Sequence, residues 1–346
     1  MLKENYSFIE KSIHKIILDY NFVGEFLHEI ENLIYKKNTT DYKLKNHIFI
    51  SGLARSGSTL ILNLIYNLNT HCSFTYTDMP FIIAPNIWTK FFNNSKKNIH
   101  LKDRAHNDYM KININSPESF DEIFWKLILK KKYIKKKQLI HINITNENLE
   151  KYNNLINLIC LKNNKQLYLS KNNNSILRLE FLMNFFENSK FILPYRNPID
   201  HAISLKNQHL LFLKIHSKNK FAKDYMEWLG HYEFGINHKL FQFNDYKNDD
   251  YISSDDYWIK IWINYYKYLL SIFHSSNNQN RLFFINYDNI CSGNNNYLIK
   301  KFDKIGLNFK LNSMEIFENK KYDSLFSKNI KEEALHIYND IKLIEN

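Results

Sequence analysis

The residues of this chain best suited to chemistry form a short glycine-flanked loop, Gly52 to Thr59. Four residues separate Gly52 from Gly57, and the hydroxyl residues Ser58 and Thr59 follow. This is the frame of a phosphate-binding loop, in which backbone N–H groups and the start of a helix attract an anion. Nucleotide triphosphatases carry a lysine directly after the second glycine, where this chain has Ser58.

Arg55 lies inside this loop and supplies a fixed positive charge with bidentate geometry. A loop with this arginine and without the lysine suits one phosphate with an attached sulfuryl group better than a magnesium-bound triphosphate. Hydrolysis of ATP or GTP is therefore disfavoured. A P-loop nucleotide kinase or hydrolase stays the alternative interpretation.

A second anion-binding pattern follows a run of apolar residues later in the chain. Arg196 stands at the end of this run, and Pro198 suits the first turn of a following helix. Ser204 lies two turns along that helix. An arginine at a strand end and a serine on the next helix can converge on one isolated phosphate.

The elements that must position these motifs are strands that alternate with helices. Apolar runs predict strands over 47–51, 166–170, 190–195 and 281–287, and helical spacing predicts helices over 58–68, 176–186, 199–212 and 257–273. Such alternation favours a parallel sheet with both faces covered. We therefore expect an α/β fold in which a single parallel β-sheet is flanked by helices.

The chain is predicted to form one domain over residues 1–346. Apolar positions at helical spacing predict two amphipathic helices in an N-terminal extension, residues 1–45. A helical insertion is predicted over 75–135.

Composition narrows the classes of function. The formal charge of +12 comes from 47 basic and 35 acidic residues, which by itself would allow a nucleic-acid partner. The phosphate loop argues against a purely nucleic-acid-binding protein, so we expect none. Three distant cysteines support neither a disulfide framework nor a zinc site. No membrane span or signal-peptide core is evident, so a cytoplasmic location is expected.

The lysine-free loop and the Arg196–Ser204 pair, eight residues apart, together resemble the sulfotransferases that use 3′-phosphoadenosine 5′-phosphosulfate (PAPS). The resemblance covers roughly residues 45–290 and extends to segments similar to a bacterial branch of that family, at 76–81, 104–108, 116–125 and 168–173. It implies a P-loop-containing sulfotransferase-like fold. It also implies in-line transfer of a sulfuryl group to a hydroxyl or amine acceptor.

The resemblance also implies roles for individual residues. The 5′-phosphate and sulfuryl oxygens would be held by Arg55, Ser56, Gly57, Ser58 and Thr59. The 3′-phosphate would be held by Arg196 and Ser204. No metal is expected. The acceptor could be a carbohydrate, a lipid-linked molecule, a peptide or a small alcohol, and an inactive sulfotransferase-like binding protein stays open.

Sulfuryl transfer needs charge stabilisation at the moving group and a base for the acceptor. Lys171 follows a predicted strand, at a position where many family members place a catalytic lysine. The small-molecule branch has a histidine two residues later, whereas this chain has Asn173. The usual base is therefore in doubt.

Several other residues are candidates for the catalytic base. Asp78 comes first, because another branch of the family uses a carboxylate about twenty residues past the loop. His106 is the next candidate, with an aspartate nearby to orient it. Glu118 and Glu122 complete the set, although both could simply be first-turn residues of a helix.

Overall fold

The computed structural model describes residues 6–92, 102–103, 111–243, 250–309 and 326–345. The helices in these ranges are α1 (Phe8–Asp19), α2 (Asn21–Tyr35), α3 (Ser58–Tyr66), α4 (Pro85–Phe92), α5 (Asp121–Ile128), α6 (Asn146–Asn163), α7 (Leu179–Phe185), α8 (Pro198–Lys218), α9 (Lys220–Trp228), α10 (Asp255–Ser275), α11 (Tyr287–Cys291), α12 (Asn295–Ile305) and α13 (Lys328–Glu345). The strands are β1 (Ile48–Ile50), β2 (Lys102–Asp103), β3 (Lys111–Ile112), β4 (Gln138–Ile140), β5 (Leu169–Lys171), β6 (Lys190–Tyr195), β7 (Leu240–Gln242) and β8 (Leu282–Asn286). Short 3-10 helices lie at Lys36–Asn38, Tyr76–Asp78, Asn173–Arg178 and Gln279–Arg281.

Four strands form a parallel sheet in the order β5-β1-β6-β8. In its register, Ile50 lies beside Lys171 on one side and beside Ile192 on the other. The carboxyl ends of these strands therefore meet at one edge. This arrangement, with helices on both faces, confirms the predicted α/β fold.

Alternating residues of the sheet are buried on opposite faces. Phe49 and Phe191 stack with ring centroids 5.2 Å apart in the larger apolar cluster. Ile48, Ile50 and Ile192 belong to a second cluster on the other face, with α3 and α12. A strand buried on both faces is apolar throughout, which is why these runs could be recognised in the sequence.

Some element bounds differ from the sequence predictions. Strand β6 covers 190–195 as expected, whereas the strand expected over 166–170 is β5, Leu169–Lys171. That strand pairs with β1, which offers three residues for the ladder. The helix expected over 176–186 begins as a 3-10 helix and continues as α7, and Arg178 at the junction is buried and paired with Glu122.

The N-terminal segment contains α1 and α2, and the segment 75–135 contains α4, α5 and the antiparallel pair β2–β3. A second parallel pair, β4–β7, joins the segments at 138–140 and 240–242. Among the described residues, no helix has the length and apolarity needed to cross a bilayer.

Candidate active site

The phosphate loop follows β1 and ends at the start of α3. At both of its glycines, neighbouring side chains leave no space for a Cβ atom. Gly57 has a φ of +92°, and a Cβ added there would lie 2.2 Å from a ring carbon of Tyr287. A Cβ on Gly52 would lie 2.6 Å from Pro194. A larger residue at either position would have to displace the Tyr287 or the Pro194 ring, and at Gly57 it would also strain the backbone.

Arg55 joins the two motifs that the sequence analysis singled out. Its backbone has a φ of +71°, and its Nε donates a hydrogen bond to the Ser204 hydroxyl at 3.2 Å. Ser204 lies on α8, which begins at Pro198 with Asn197 as its cap. The loop and the Arg196–Ser204 motif, distant in the chain, thus form one site.

The loop also presents groups suited to an anion. Gly57 caps α3, so the first turn of that helix directs its N–H groups toward the loop. The Ser56 hydroxyl is buried and has no hydrogen-bond partner among the described residues. A buried hydroxyl in this position fits a phosphate oxygen, because a hydroxyl removed from water otherwise costs free energy.

Arg196 stands at the carboxyl end of β6 and is buried. Its guanidinium lies 5.2 Å from the ring centroid of Tyr287, and its Nε lies 4.0 Å from an Asp288 oxygen. The other Asp288 oxygen accepts a hydrogen bond from the Asn197 N–H at 2.8 Å. The start of α11 therefore orients both Arg196 and the start of α8.

His201 supports the loop from α8, a role that the sequence analysis missed. Its Nε2 lies 2.7 Å from the Ala54 carbonyl oxygen, which requires that nitrogen to carry a proton. Burial, aided by the charges of Arg196 and Arg55, outweighs the raising effect of this hydrogen bond and lowers the pKa of His201 from 6.5 to about 3. The neutral imidazole thus holds the loop without adding charge.

Lys171 is the last residue of β5 and is buried beside the loop strand. Its Nζ lies 3.9 Å from Glu118 Oε1, and the Tyr76 hydroxyl donates to Glu118 Oε2 at 2.9 Å. The Ser119 N–H also donates to Glu118, at 3.0 Å. Of the candidate bases in the described ranges, Glu118 is the one in contact with Lys171.

Asp78 lies elsewhere, in a closed set of hydrogen bonds. The Thr75 N–H and hydroxyl both donate to its Oδ2, at 2.8 and 3.2 Å, and its Oδ1 pairs with Lys162. The residue is fully buried. These contacts are those of a capping residue, which is the ordinary use of aspartate in a turn.

Glu122 is also engaged in structural contacts. Its carboxylate pairs with Arg178 and accepts hydrogen bonds from Asn172, at 2.7 Å, and from the Tyr133 hydroxyl. Since all these groups are buried, the ion pair fixes the turn that follows Lys171. His106 lies outside the described residues.

Asn173 belongs to a second polar chain behind Lys171. Its side-chain N–H donates to Glu233 at 2.6 Å, and the other Glu233 oxygen lies 3.6 Å from His231 Nδ1. The remaining nitrogen of His231 lies 3.2 Å from the Ser119 carbonyl oxygen. Glu233 thus connects the residues after Lys171 with those after Glu118, which no spacing in the sequence indicates.

The Glu233 carboxylate makes a pH-dependent contribution to stability. Burial by itself raises its pKa, but the charge of His231 and hydrogen bonds from His231 and Asn173 outweigh burial and lower the pKa from 4.5 to about 2. Because the folded-state pKa lies below the unfolded one, the contribution is complete above about pH 5 and is lost as the pH falls toward 2. We expect Glu233→Gln to lower the free energy of unfolding by about 3 kcal/mol near pH 5, and by about half of that near pH 3.

Urea titrations of both proteins at the two pH values measure this difference. Glu150→Gln is the control, because Glu150 is an exposed partner of Lys43 at 3.5 Å and should give little change at either pH. If Glu233→Gln lowered the free energy of unfolding as much near pH 3 as near pH 5, Glu233 would not be ionised in the folded protein.

The arrangement brings three cationic side chains, Arg55, Arg196 and Lys171, to the carboxyl edge of three adjacent strands. Their acidic neighbours are Asp288 and Glu118. Within the described ranges, no group of three or more histidine, cysteine, aspartate or glutamate residues could hold a metal ion. Three cationic side chains in one place suit an anion with more than one charged group.

Solved structures of three sulfotransferases are similar to this chain. One, from Mycobacterium tuberculosis, is 9% identical over 99% of this chain and 87% of that chain, with a TM-score of 0.47. Another, from Mycobacterium avium, is 8% identical over 98% and 79%, with a TM-score of 0.48. The sulfotransferase domain of the curacin biosynthetic pathway is 13% identical over 77% and 75%, with a TM-score of 0.37.

Among curated proteins, none matches this chain. A model of the sulfotransferase family, by contrast, matches residues 47–253, a range that includes the loop, Lys171 and the Arg196–Ser204 motif. This range is more than half of the chain. The protein therefore belongs to the sulfotransferase family.

Proposed function

We propose that this protein transfers a sulfuryl group from PAPS to a hydroxyl or amine acceptor by in-line displacement. The observation that carries the proposal is the hydrogen bond from Arg55 to Ser204, because it unites the two phosphate motifs in one site. A ligand with anionic groups at two separate positions suits such a site better than a single phosphate. The lysine-free loop favours it over a magnesium nucleotide.

The residues present fit this donor. The loop from Ser56 to Thr59, with Arg55, offers N–H groups, hydroxyls and one fixed charge to the 5′-phosphosulfate end. Arg196 and Ser204 offer a guanidinium and a hydroxyl to the 3′-phosphate. The donor supplies an activated sulfuryl group on a good leaving phosphate.

The proposal gives Lys171 and Glu118 complementary roles. The Lys171 ammonium stabilises negative charge that develops on the bridging and sulfuryl oxygens. The Glu118 carboxylate removes the proton from the acceptor as the bond from the acceptor oxygen or nitrogen to sulfur forms and the bond from sulfur to the bridging oxygen breaks. Lys171 Nζ and Glu118 Oε1 lie 3.9 Å apart, so the two groups could act on the same reacting centre.

Asp78 is not part of this proposal, since it is fully buried and contacts Thr75 and Lys162 and not Lys171. Glu233 is instead a positioning residue. It holds Asn173 and His231, and through them the segments that carry Lys171 and Glu118.

The first experiment is calorimetric titration of the protein with 3′-phosphoadenosine 5′-phosphate, the product of the donor, beside ATP with magnesium. We expect the bisphosphate to bind and magnesium ATP to bind at least about 100-fold more weakly, since the loop has no Walker lysine. Binding of ATP alone would instead favour a nucleotide kinase or hydrolase. Binding of neither ligand would contradict the proposed donor site.

A further inference from the structure

The N-terminal helix pair is attached to the rest of the protein through apolar contacts and through buried polar groups. Glu31 on α2 is fully buried, and its carboxylate accepts hydrogen bonds from the N–H groups of Asn86 and Ile87, at 2.8 and 2.9 Å. Buried His28 lies 3.2 Å from the Ile83 carbonyl oxygen. Glu31 thus caps the start of α4, and these contacts fix which face of α2 points inward.

The opposite faces of both helices are apolar and exposed. The exposed side of α1 carries Ile9, Ile13 and Ile16 at helical spacing, which Tyr20 continues just after the helix, and Phe8 at its start is 84% exposed. A surface helix ordinarily buries its apolar stripe and exposes its polar face. Here Ile17 and Leu18 face the core, yet a second apolar stripe remains exposed.

The stripe continues from α1 onto α2. The Tyr20 and Phe22 rings lie 6.4 Å apart, edge to face. Phe22, Phe26 and Leu33 then follow helical spacing along α2, with Phe22 71% and Leu33 82% exposed. We call the eight residues the apolar stripe.

The apolar stripe is large enough to be an interface. Since an aromatic side chain carries about 150–250 Å² of surface, the stripe offers on the order of 800 Å². The largest apolar patch of an ordinary monomer is about 300–600 Å². A stable protein–protein interface buries about 800 Å² on each partner, which matches the stripe.

The charges beside the stripe indicate what covers it. Helix α2 carries Glu25 and Glu29 along this side, and anionic lipid headgroups would be repelled by them. Helix α1 carries Lys15 on its exposed side. Asp19 also lies near the stripe at the end of α1, so a protein surface fits this face better than anionic lipid. A second copy brings an apolar stripe of the same size, and a two-fold axis packs the two stripes against each other.

We propose that the apolar stripe is the interface of a homodimer, in which α1 and α2 of two copies pack as a four-helix arrangement about a two-fold axis. The proposal does not depend on the reaction that the protein catalyses. It concerns a surface formed by residues 8–33, whereas the phosphate site is built from β1, β5, β6 and α8.

The test is the molar mass of the full chain by light scattering after size exclusion, over a dilution series. We expect a dimer for the wild type. The double variant Phe22→Glu/Leu33→Glu and the single variant Ile9→Glu should each raise the dimer dissociation constant by about 30-fold or more, the effect of losing interface hot spots. Leu343→Glu is the matched control, since Leu343 on α13 is 76% exposed but lies outside the stripe, and it should stay dimeric.

Circular dichroism and thermal melting verify that each variant is folded. A monomeric wild type at every concentration would overturn the proposal, and so would variants that remain dimeric. A monomer that sediments with phosphatidylglycerol vesicles through the stripe would assign the surface to lipid and would also overturn it.

Discussion

Replacing Arg55 with alanine is expected to weaken binding of 3′-phosphoadenosine 5′-phosphate by about 100-fold or more. The substitution removes the charge inside the phosphate loop and the hydrogen bond to Ser204. Truncating one side of a buried charged contact costs about 2–5 kcal/mol, much of it because the other charge is left without a partner. Calorimetric titration measures the loss directly.

Lys206→Ala is a matched control for this variant. Lys206 lies on α8 near Ser204 but pairs with Asp255 at 2.8 Å, so its loss should leave the bisphosphate affinity close to that of the wild type. Undiminished binding by Arg55→Ala would mean that the loop is not the donor site. Equal losses in both variants would point to a general effect of net charge.

Replacing Lys171 with methionine should lower the rate of sulfuryl transfer by about 100- to 1,000-fold, the usual effect of removing one group that stabilises transition-state charge. Methionine keeps most of the length of the side chain. Binding of the bisphosphate, which has no sulfuryl group, should change little. Single-turnover release of label from radiolabelled PAPS, to water or to an added acceptor, gives the rate.

The control for the rate measurement is Lys165→Met, because Lys165 is half-buried outside the site and donates to the Asn69 carbonyl oxygen. A fall in bisphosphate affinity as large as the fall in rate would show that Lys171 binds the donor uniformly instead of acting on the transition state. An unchanged rate would remove Lys171 from the mechanism.

The sequence predicts those parts of the fold whose residue patterns lie within one continuous stretch of the chain. Strand β6 is a run of apolar residues that ends at Arg196, and Pro198 marks the first turn of α8. Gly57 is recognisable because a left-handed residue before a helix favours glycine. Helix α6 is not evident, since asparagines interrupt its apolar pattern, although Thr145 caps it.

The features of the fold and of the site that the sequence does not predict depend on contacts between segments that are distant in the chain. Glu118 meets Lys171 only because the segment at Pro117 pairs with Thr75 beside β5, and nothing local distinguishes it from Asp78. Tyr287 is likewise unremarkable in the sequence. The outward stripe of α1 and α2 could not be foreseen either, because periodicity gives the width of an apolar face but not the side on which the core lies.

The position of the Tyr287 ring affects which ligands the site could bind. Its ring is in contact with Gly57 in the loop and lies against the Arg196 guanidinium, so it stands between the two proposed phosphate positions. If the loop and Arg196 each hold one phosphate, this ring limits how closely the two phosphates can approach each other. The spacing between the phosphates of a ligand would then decide which adenosine bisphosphates can occupy both positions.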